Sequence, residues 1–185
     1  MTTEMIERIL SKENLEEAKC KVMSNKGSAG VDRMKTSELP KFIEAHGEEL
    51  CEAIRRRKYK PLPVRRVEIP KEDGSKRNLG VPAVKDRWIE QAVCQVLTPI
   101  FEKEFSENSY GFRPGRSCQQ AIEEALIYLN EGYEWVIDLD IEKYFDTVNH
   151  DKLVSIRRER INDAFSQGRG AAHGSYESQT KRTTQ

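Results

Sequence analysis

The stretch that decides the fold is WVIDLDIEKYFDTVNHDKL, residues 135–153, where an apolar run is crowded with carboxylates. Side chains alternate across a β-strand. A strand over 135–141 therefore places its isoleucines and Leu139 on one face, and Asp138 and Asp140 on the other. Neighbouring carboxylates are costly unless a metal ion, hydrogen bonds or protons compensate for their charge. The end of this strand is therefore a candidate metal site.

Two reaction classes use an Asp-x-Asp pair at the end of a strand. In phosphatases of the haloacid dehalogenase type, Asp138 would be the nucleophile and Asp140 the general acid. That family usually has Thr or Val two residues after the second aspartate, where this chain has Glu142. In polymerases, one aspartate is followed by a turn that carries an aromatic side chain, and Asp140 followed by Phe145 fits that pattern.

The net charge of zero hides two blocks of opposite sign. Residues 53–87 carry 12 basic and 4 acidic side chains, whereas residues 88–156 carry 5 basic and 13 acidic ones. A basic surface beside carboxylates is typical of enzymes that act on nucleic acid, although a charge run can also be a merely solvated face. The residues predicted to contact RNA phosphates in the basic block are Arg55, Arg56, Arg57, Lys58, Lys60, Arg65 and Arg66.

Local patterns predict mostly helices with one hairpin. Ser11, Ser37 and Ser117 are each expected to cap the start of a helix. Strands over 64–69 and 78–82 flank an Asp73-Gly74 turn, which is a strong hairpin signal. From Ser166 onward the composition is polar and rich in glycine, so disorder is expected there.

Composition also bounds the environment of the protein. No apolar run approaches the length of a membrane span, and the N-terminus lacks the pattern of a signal peptide. The four cysteines lie far apart without zinc-ligand spacing, which favours reduced thiols. We therefore expect a cytoplasmic protein that does not associate with a membrane.

Three long segments carry a family resemblance: RRVEIPKEDGSKRNLGVPAVKDRWIEQAV, then YGFRPGRSC, then WVIDLDIEKYFDTVNHDKL. In order and spacing they resemble successive motifs of group II intron reverse transcriptases, also called maturases. NKGSAGVDRM, residues 25–34, resembles the extra N-terminal motif of the same family. The resemblance covers roughly residues 5–156.

The resemblance implies an α+β fold, with the fingers and part of the palm of a right-hand polymerase. Residues 1–60 would be an N-terminal extension with fingers helices. Residues 61–156 would be the fingers and partial palm of the reverse transcriptase domain. Residues 157–185 would be a polar, disordered tail.

By the same resemblance, Asp140 is the catalytic aspartate that binds metal, assisted by the backbone carbonyl of Ile141. Two Mg²⁺ ions would activate the primer hydroxyl and steady the leaving pyrophosphate. Phe145 would exclude a ribose 2′-hydroxyl from the nucleotide site.

The remaining implied roles concern phosphate and template. Lys71 and Arg77, on either side of the hairpin turn, would hold the incoming triphosphate. Arg113 and Arg116, in the YGFRPGRSC segment, would lie near the template. The implied partners are intron or template RNA, a DNA primer and deoxynucleoside triphosphates.

One departure from the family pattern limits the expected activity. A polymerase of this family completes its metal site with a later Tyr-x-Asp-Asp motif, and this chain contains no Asp-Asp pair. We therefore expect the N-terminal part of such an enzyme, from a truncated, frameshifted or split gene, inactive by itself. The alternatives are a non-catalytic RNA-binding module and a phosphatase built on Asp138 and Asp140. The oligomeric state stays open.

Overall fold

The computed structural model describes residues 2–72, 74–141 and 143–160. The helices there are α1 (Thr2–Ile9), α2 (Lys12–Ser24), α3 (Leu39–Arg55), α4 (Val84–Phe101), α5 (Cys118–Asn130), α6 (Tyr144–Thr147) and α7 (His150–Arg160). Short 3-10 turns at Thr36–Glu38 and Glu102–Glu104 precede α3 and follow α4. Two strands, β1 (Arg65–Pro70) and β2 (Lys76–Val81), form one antiparallel sheet. This mixture of helices and a small sheet confirms the α+β expectation.

The caps predicted at Ser11 and Ser117 are confirmed, whereas the cap predicted at Ser37 is wrong, because Ser37 lies inside the Thr36–Glu38 3-10 turn and α3 begins after Glu38 without a side-chain cap. The Ser11 hydroxyl accepts a hydrogen bond from the Asn14 amide at 3.3 Å, at the start of α2. The Ser117 hydroxyl accepts from the Gln120 amide at 3.3 Å, and the Gln120 side chain accepts from the Ser117 amide at 2.9 Å. Each cap satisfies amides that the first helical turn leaves without partners.

The first four helices bury one apolar core. It comprises Ile6, Ile9, Leu10, Ala18, Val22, Leu39, Leu50, Cys51, Ile54, Val84, Trp88, Ile89, Ala92 and Val96. The indole of Trp88 is buried and donates to the Leu15 carbonyl at 2.9 Å. The Asn14 side chain joins α2 to α4 by donating to the Ala92 carbonyl at 3.0 Å.

The predicted hairpin is confirmed. Its register pairs Arg65 with Val81 and Pro70 with Lys76. Gly74 lies at the turn with φ +79°, a left-handed conformation that glycine adopts without steric cost. Asp73, the other turn residue, lies outside the described residues.

The chain divides into two compact units. Among the described residues, the first contains those up to Val96 together with His150–Arg160, and the second contains those within Leu97–Asn149. The first therefore holds the helical core and the hairpin, and the second holds α5 and the segment that carries Asp138 and Asp140. Within the described residues, no helix is long and apolar enough to cross a bilayer.

The prediction of a strand over residues 135–141 is wrong. No strand is formed there, and the exposed fractions of Trp135, Ile137 and Leu139 are 93%, 83% and 89%. A strand requires a neighbour for its amides and carbonyls, and the sheet in the described part of the chain contains only β1 and β2. The alternating pattern is present, but its apolar residues are not packed against the described residues of the second unit.

The predicted disorder after Ser166 concerns residues that lie outside the described ones.

Candidate nucleic-acid interface

The hairpin presents two cations close to its turn. Arg77 pairs with Ile69 across the sheet, and Lys71 follows Ile69 by two residues, so the register indicates one shared face. The Lys71 amide donates to the Ser75 carbonyl at 2.8 Å, which extends the ladder into the turn. Both cationic side chains are exposed, and neither forms an ion pair with any residue that the structure describes.

Another hairpin cation is neutralised locally. The Lys76 ammonium lies 2.7 Å from the Glu68 carboxylate across the sheet. This hydrogen bond and the opposite charge lower the pKa of Glu68 and raise that of Lys76. The Glu68 carboxylate therefore neutralises the charge of Lys76. Lys71 and Arg77 remain as the cations near the turn that are available to a phosphate.

The predicted RNA-binding cations at the end of α3 fall into two groups, those that pair with a carboxylate of the protein and those that do not. Arg55 binds Glu7 of α1 in a bidentate pair, with Nε–Oε1 and Nη2–Oε2 distances of 2.9 Å and 3.0 Å. Arg56 donates to the Glu52 carboxylate at 2.7 Å. These two guanidinium groups bind carboxylates of the protein itself, so a phosphate would have to displace a carboxylate to reach them.

Arg57, Lys58 and Lys60, by contrast, are exposed and form no ion pair with the described residues. Arg57 has φ +56°. Its amide donates to the Ile54 carbonyl at 2.9 Å, and the Lys58 amide donates to the Ala53 carbonyl at 2.8 Å. This is the left-handed helix ending that glycine usually provides. Arginine in that conformation costs about 1 kcal/mol relative to glycine, so Arg57 occupies a position that does not favour it.

The other predicted RNA-binding arginines are less available. Arg65 donates from Nε to the Ala29 carbonyl at 2.9 Å, and Arg66 also has a partner within the chain. The Arg113 side chain is 8% exposed and pairs with Glu102 at 2.7 Å. The Arg116 guanidinium lies 5.4 Å from the centre of the Tyr110 ring, within the range of a cation–π contact.

Asp138 and Asp140 are both exposed, in the segment without strand structure. No cluster of three or more His, Cys, Asp or Glu side chains that could hold a metal ion exists among the described residues. A Mg²⁺ site needs several oxygen ligands in near-octahedral geometry. The donor set in the described part of the chain therefore does not fit the two-metal site that the resemblance implies.

Comparison with known proteins identifies the family. Residues 69–178 match the family described as "Reverse transcriptase (RNA-dependent DNA polymerase)", which is more than half of the chain. The chain belongs to this reverse transcriptase family. The match includes most of the hairpin, the loop around Arg113 and both aspartates, and it extends beyond Ile156 into the segment predicted to be a tail.

Curated relatives of this chain support the group II intron resemblance. Protein YkfC of Escherichia coli is 39% identical over 166 residues, covering 86% of this chain and 44% of YkfC. The Group II intron-encoded protein LtrA of Lactococcus lactis is 33% identical over 141 residues, covering 76% of this chain and 23% of LtrA. The Putative COX1/OXI3 intron 2 protein of Saccharomyces cerevisiae is 37% identical over 115 residues, covering 62% and 13%. The chain thus spans less than half the length of these relatives.

The roles that the resemblance implies for Ile141 and Phe145 stay predictions. Ile141 is exposed, directly after Asp140. Phe145 belongs to the short helix α6, but its side chain lies outside the part that the structure describes.

Phe112 is a candidate nucleic-acid contact that the sequence analysis missed. Its side chain is fully exposed and its φ is +58°, within the YGFRPGRSC segment. An exposed aromatic ring can stack on any base of a single strand. The only sequence signal was an aromatic residue between glycine and arginine, which does not reveal a left-handed backbone.

Proposed function

We propose that the chain supplies the part of a group II intron-encoded RNA-directed DNA polymerase that holds the incoming nucleotide and the template. The observation that carries the proposal is the exposed hairpin, with Lys71 and Arg77 on one face, inside the region that matches the reverse transcriptase family. In this proposal the hairpin and its surroundings are fingers, and residues 135–141 become a palm strand when a neighbouring strand is supplied.

The proposed roles follow from charge and exposure. Arg57, Lys58 and Lys60 contact the phosphates of intron or template RNA, since their cations are exposed at the end of α3. Lys71 and Arg77 contact a deoxynucleoside triphosphate, because lysine and arginine at an exposed turn can fold over phosphate groups. A DNA primer is the remaining partner.

The metal chemistry is proposed only for a more complete enzyme. Asp140 would contribute one carboxylate to Mg²⁺ there, with the Ile141 carbonyl beside it and Phe145 against the sugar. Since the described residues do not assemble a metal site, no catalytic step is assigned to them. A cytoplasmic location is proposed together with this function.

The second candidate is a non-catalytic RNA-binding module, which the exposed cations at the end of α3 favour on their own account. It uses the same cations but assigns no triphosphate to Lys71 and Arg77, so binding of a deoxynucleoside triphosphate that Lys71→Gln weakens would separate the two. The phosphatase alternative loses its support, because Asp138 and Asp140 fall within the reverse transcriptase match.

The test of the proposed surface is photocrosslinking of the purified chain to a structured RNA that carries 4-thiouridine. Mass spectrometry should place crosslinked RNA over residues 57–60, and a photoreactive deoxynucleoside triphosphate should crosslink around the hairpin turn. Crosslinks at the segment containing Phe112 would add the stacking residue. Crosslinks confined to α1 and α2 would contradict the proposed surface. Crosslinks that unlabelled RNA does not reduce would contradict it as well.

A further inference from the structure

The direction in which the hairpin projects must be set at its base. Val67 and Val81 are the only half-buried residues of the two strands, and the others are exposed, so the strands gain little from packing on the helices. An element with little buried surface is oriented by the contacts where the chain enters and leaves it. Those contacts involve a buried aspartate and the loop at residues 27–30.

The segment that leads into β1 is held by Asp86 of α4. Asp86 is 2% exposed, and both of its carboxylate oxygens accept hydrogen bonds. The Leu62 amide donates to Oδ2 at 2.9 Å, and the Tyr59 hydroxyl donates to Oδ1. Burial and this hydrogen bond raise the pKa of Tyr59 well above its ordinary value. A buried carboxylate is tolerated only when it is hydrogen-bonded, so these bonds hold the entering segment firmly.

Two arginines hold the loop at residues 27–30 against the start of β1 and the first turn of α4. Arg65, the first residue of β1, donates to the Ala29 carbonyl at 2.9 Å. Arg87, next to Asp86 on α4, donates to the Ser28 carbonyl at 2.6 Å. The loop therefore connects the start of the hairpin to the first turn of α4.

Gly30 brings the loop against the segment that leaves the hairpin. A Cβ atom at Gly30 would lie 2.5 Å from the Ala83 Cα and 2.9 Å from the Pro82 carbonyl oxygen. Such distances are impossible without movement of the backbone, so only glycine allows this approach. Ala83 is itself completely buried, so the segment that follows the hairpin has little space to move away from Gly30.

We propose that residues 27–30 and Asp86 form a clamp that sets the direction of the hairpin, and thereby positions Lys71 and Arg77. Tyr59, Arg65 and Arg87 are positioning residues of this clamp. The inference deepens the proposed function, on which its meaning for phosphate binding rests. It gives the NKGSAGVDRM segment a mechanical role that its sequence alone does not indicate.

The clamp can be tested by measuring the direction of the hairpin without nucleic acid. Spin labels are attached through genetically encoded ketone side chains that replace Glu44 on α3 and Glu72 at the hairpin turn, which leaves the native cysteines unchanged. Pulsed electron resonance then gives the distribution of distances between the labels in the full chain. Tyr59→Phe removes only the hydroxyl that binds Asp86, and Gly30→Ala introduces the clashing Cβ.

Both variants should shift or broaden the distance distribution by several ångströms, whereas Gly111→Ala should leave it unchanged. Gly111 is the matched control, because no described atom lies within 4 Å of the place that a Cβ would take there. If Gly30→Ala fails to fold, Arg65→Gln replaces it, because that change removes the bond to Ala29 and adds no clash. A folded Tyr59→Phe and a folded loop variant that both keep the parent distribution would overturn the clamp.

A second measurement links the clamp to binding. Lys71→Gln should weaken binding of a deoxynucleoside triphosphate less in the Tyr59→Phe background than in the parent, since a misdirected hairpin no longer brings Lys71 to the phosphate. Equal losses in both backgrounds would overturn the positioning role. If Lys71→Gln has no effect in the parent, the proposed triphosphate contact fails, and the distance measurement still decides whether the clamp exists.

Discussion

At the scale of single residues, Arg57 combines an exposed cation with a backbone conformation that its side chain disfavours. Arg57→Gly should raise the free energy of unfolding by about 1 kcal/mol, because glycine adopts the left-handed conformation at the end of α3 without steric cost. Urea denaturation gives the value. Arg57→Ala is the control, since it removes the same charge but keeps a Cβ. Equal stability of the two variants would show that the left-handed backbone is not the cause.

The ion pair between Glu7 and Arg55 predicts a stability difference that depends on pH. Arg55 holds the pKa of Glu7 below its ordinary value of 4.5. Stability from this group is therefore present above about pH 4.5 and is lost as the pH falls through the lowered pKa. Thermal melts should show Glu7→Gln less stable than the parent at pH 6, with the difference shrinking toward pH 3. A difference that stays constant over this range would contradict the pair.

These residues also show what the sequence reveals about charge. Ser11 and Ser117 were predictable as caps, because a cap acts within three residues of itself. Arg55 was not predictable as an ion-pair partner, because its carboxylate, Glu7, lies 48 residues earlier in the chain. Only tertiary packing brings those two groups together, so the sequence shows which side chains are charged but not which charges the fold neutralises.

At the scale of elements, the hairpin was predictable and the state of the segment 135–141 was not. A hairpin carries its own partner, so the Asp73-Gly74 turn and the flanking alternation suffice to define it. The segment with Asp138 and Asp140 has the same alternation, but pairing depends on a strand from elsewhere. Periodicity reports which faces a strand would have, and it cannot report whether a neighbour is present.

Hydrogen exchange tests this contrast directly. Amides of residues 135–141 should exchange within the dead time of the experiment, because they have no strand beside them in the described chain. Amides in the β1–β2 ladder should be slower, and those in α4 beside the buried Trp88 the slowest. Protection of residues 135–141 that equals that of the hairpin would show that they are paired after all.

At the scale of the whole molecule, the family was predictable because long motifs occur in order, and the reverse transcriptase match confirms it. The state of the predicted palm strand was not predictable, since residues 135–141 are unpaired among the described residues. The separation of basic and acidic blocks was visible in the sequence, but the fold reduces the exposed, unpaired cations at the end of α3 to a smaller set. Function at this scale depends on what binds those cations.

The purified 185-residue chain should not extend a DNA primer on an RNA template with Mg²⁺ and deoxynucleotides. Its sequence has no Asp-Asp pair, and its described residues assemble no acidic cluster that could hold two metal ions. A gel assay of labelled primer measures the product. Incorporation above background that Asp140→Asn abolishes would contradict this expectation and support a complete metal site.

The central claim, that exposed cations after α3 bind RNA phosphates, is tested most directly by the salt dependence of RNA affinity. Anisotropy of a labelled structured RNA should give a slope of log affinity against log salt of about −3 to −5, for roughly four to six phosphate contacts. Changing Arg57, Lys58 and Lys60 together to Gln should make the slope shallower by about 2 to 3 and weaken binding across RNA sequences. The control changes Lys12, Lys41 and Lys103 to Gln, which removes the same charge elsewhere and should alter the slope much less. Identical affinities and slopes for the parent and the first variant would contradict the claim.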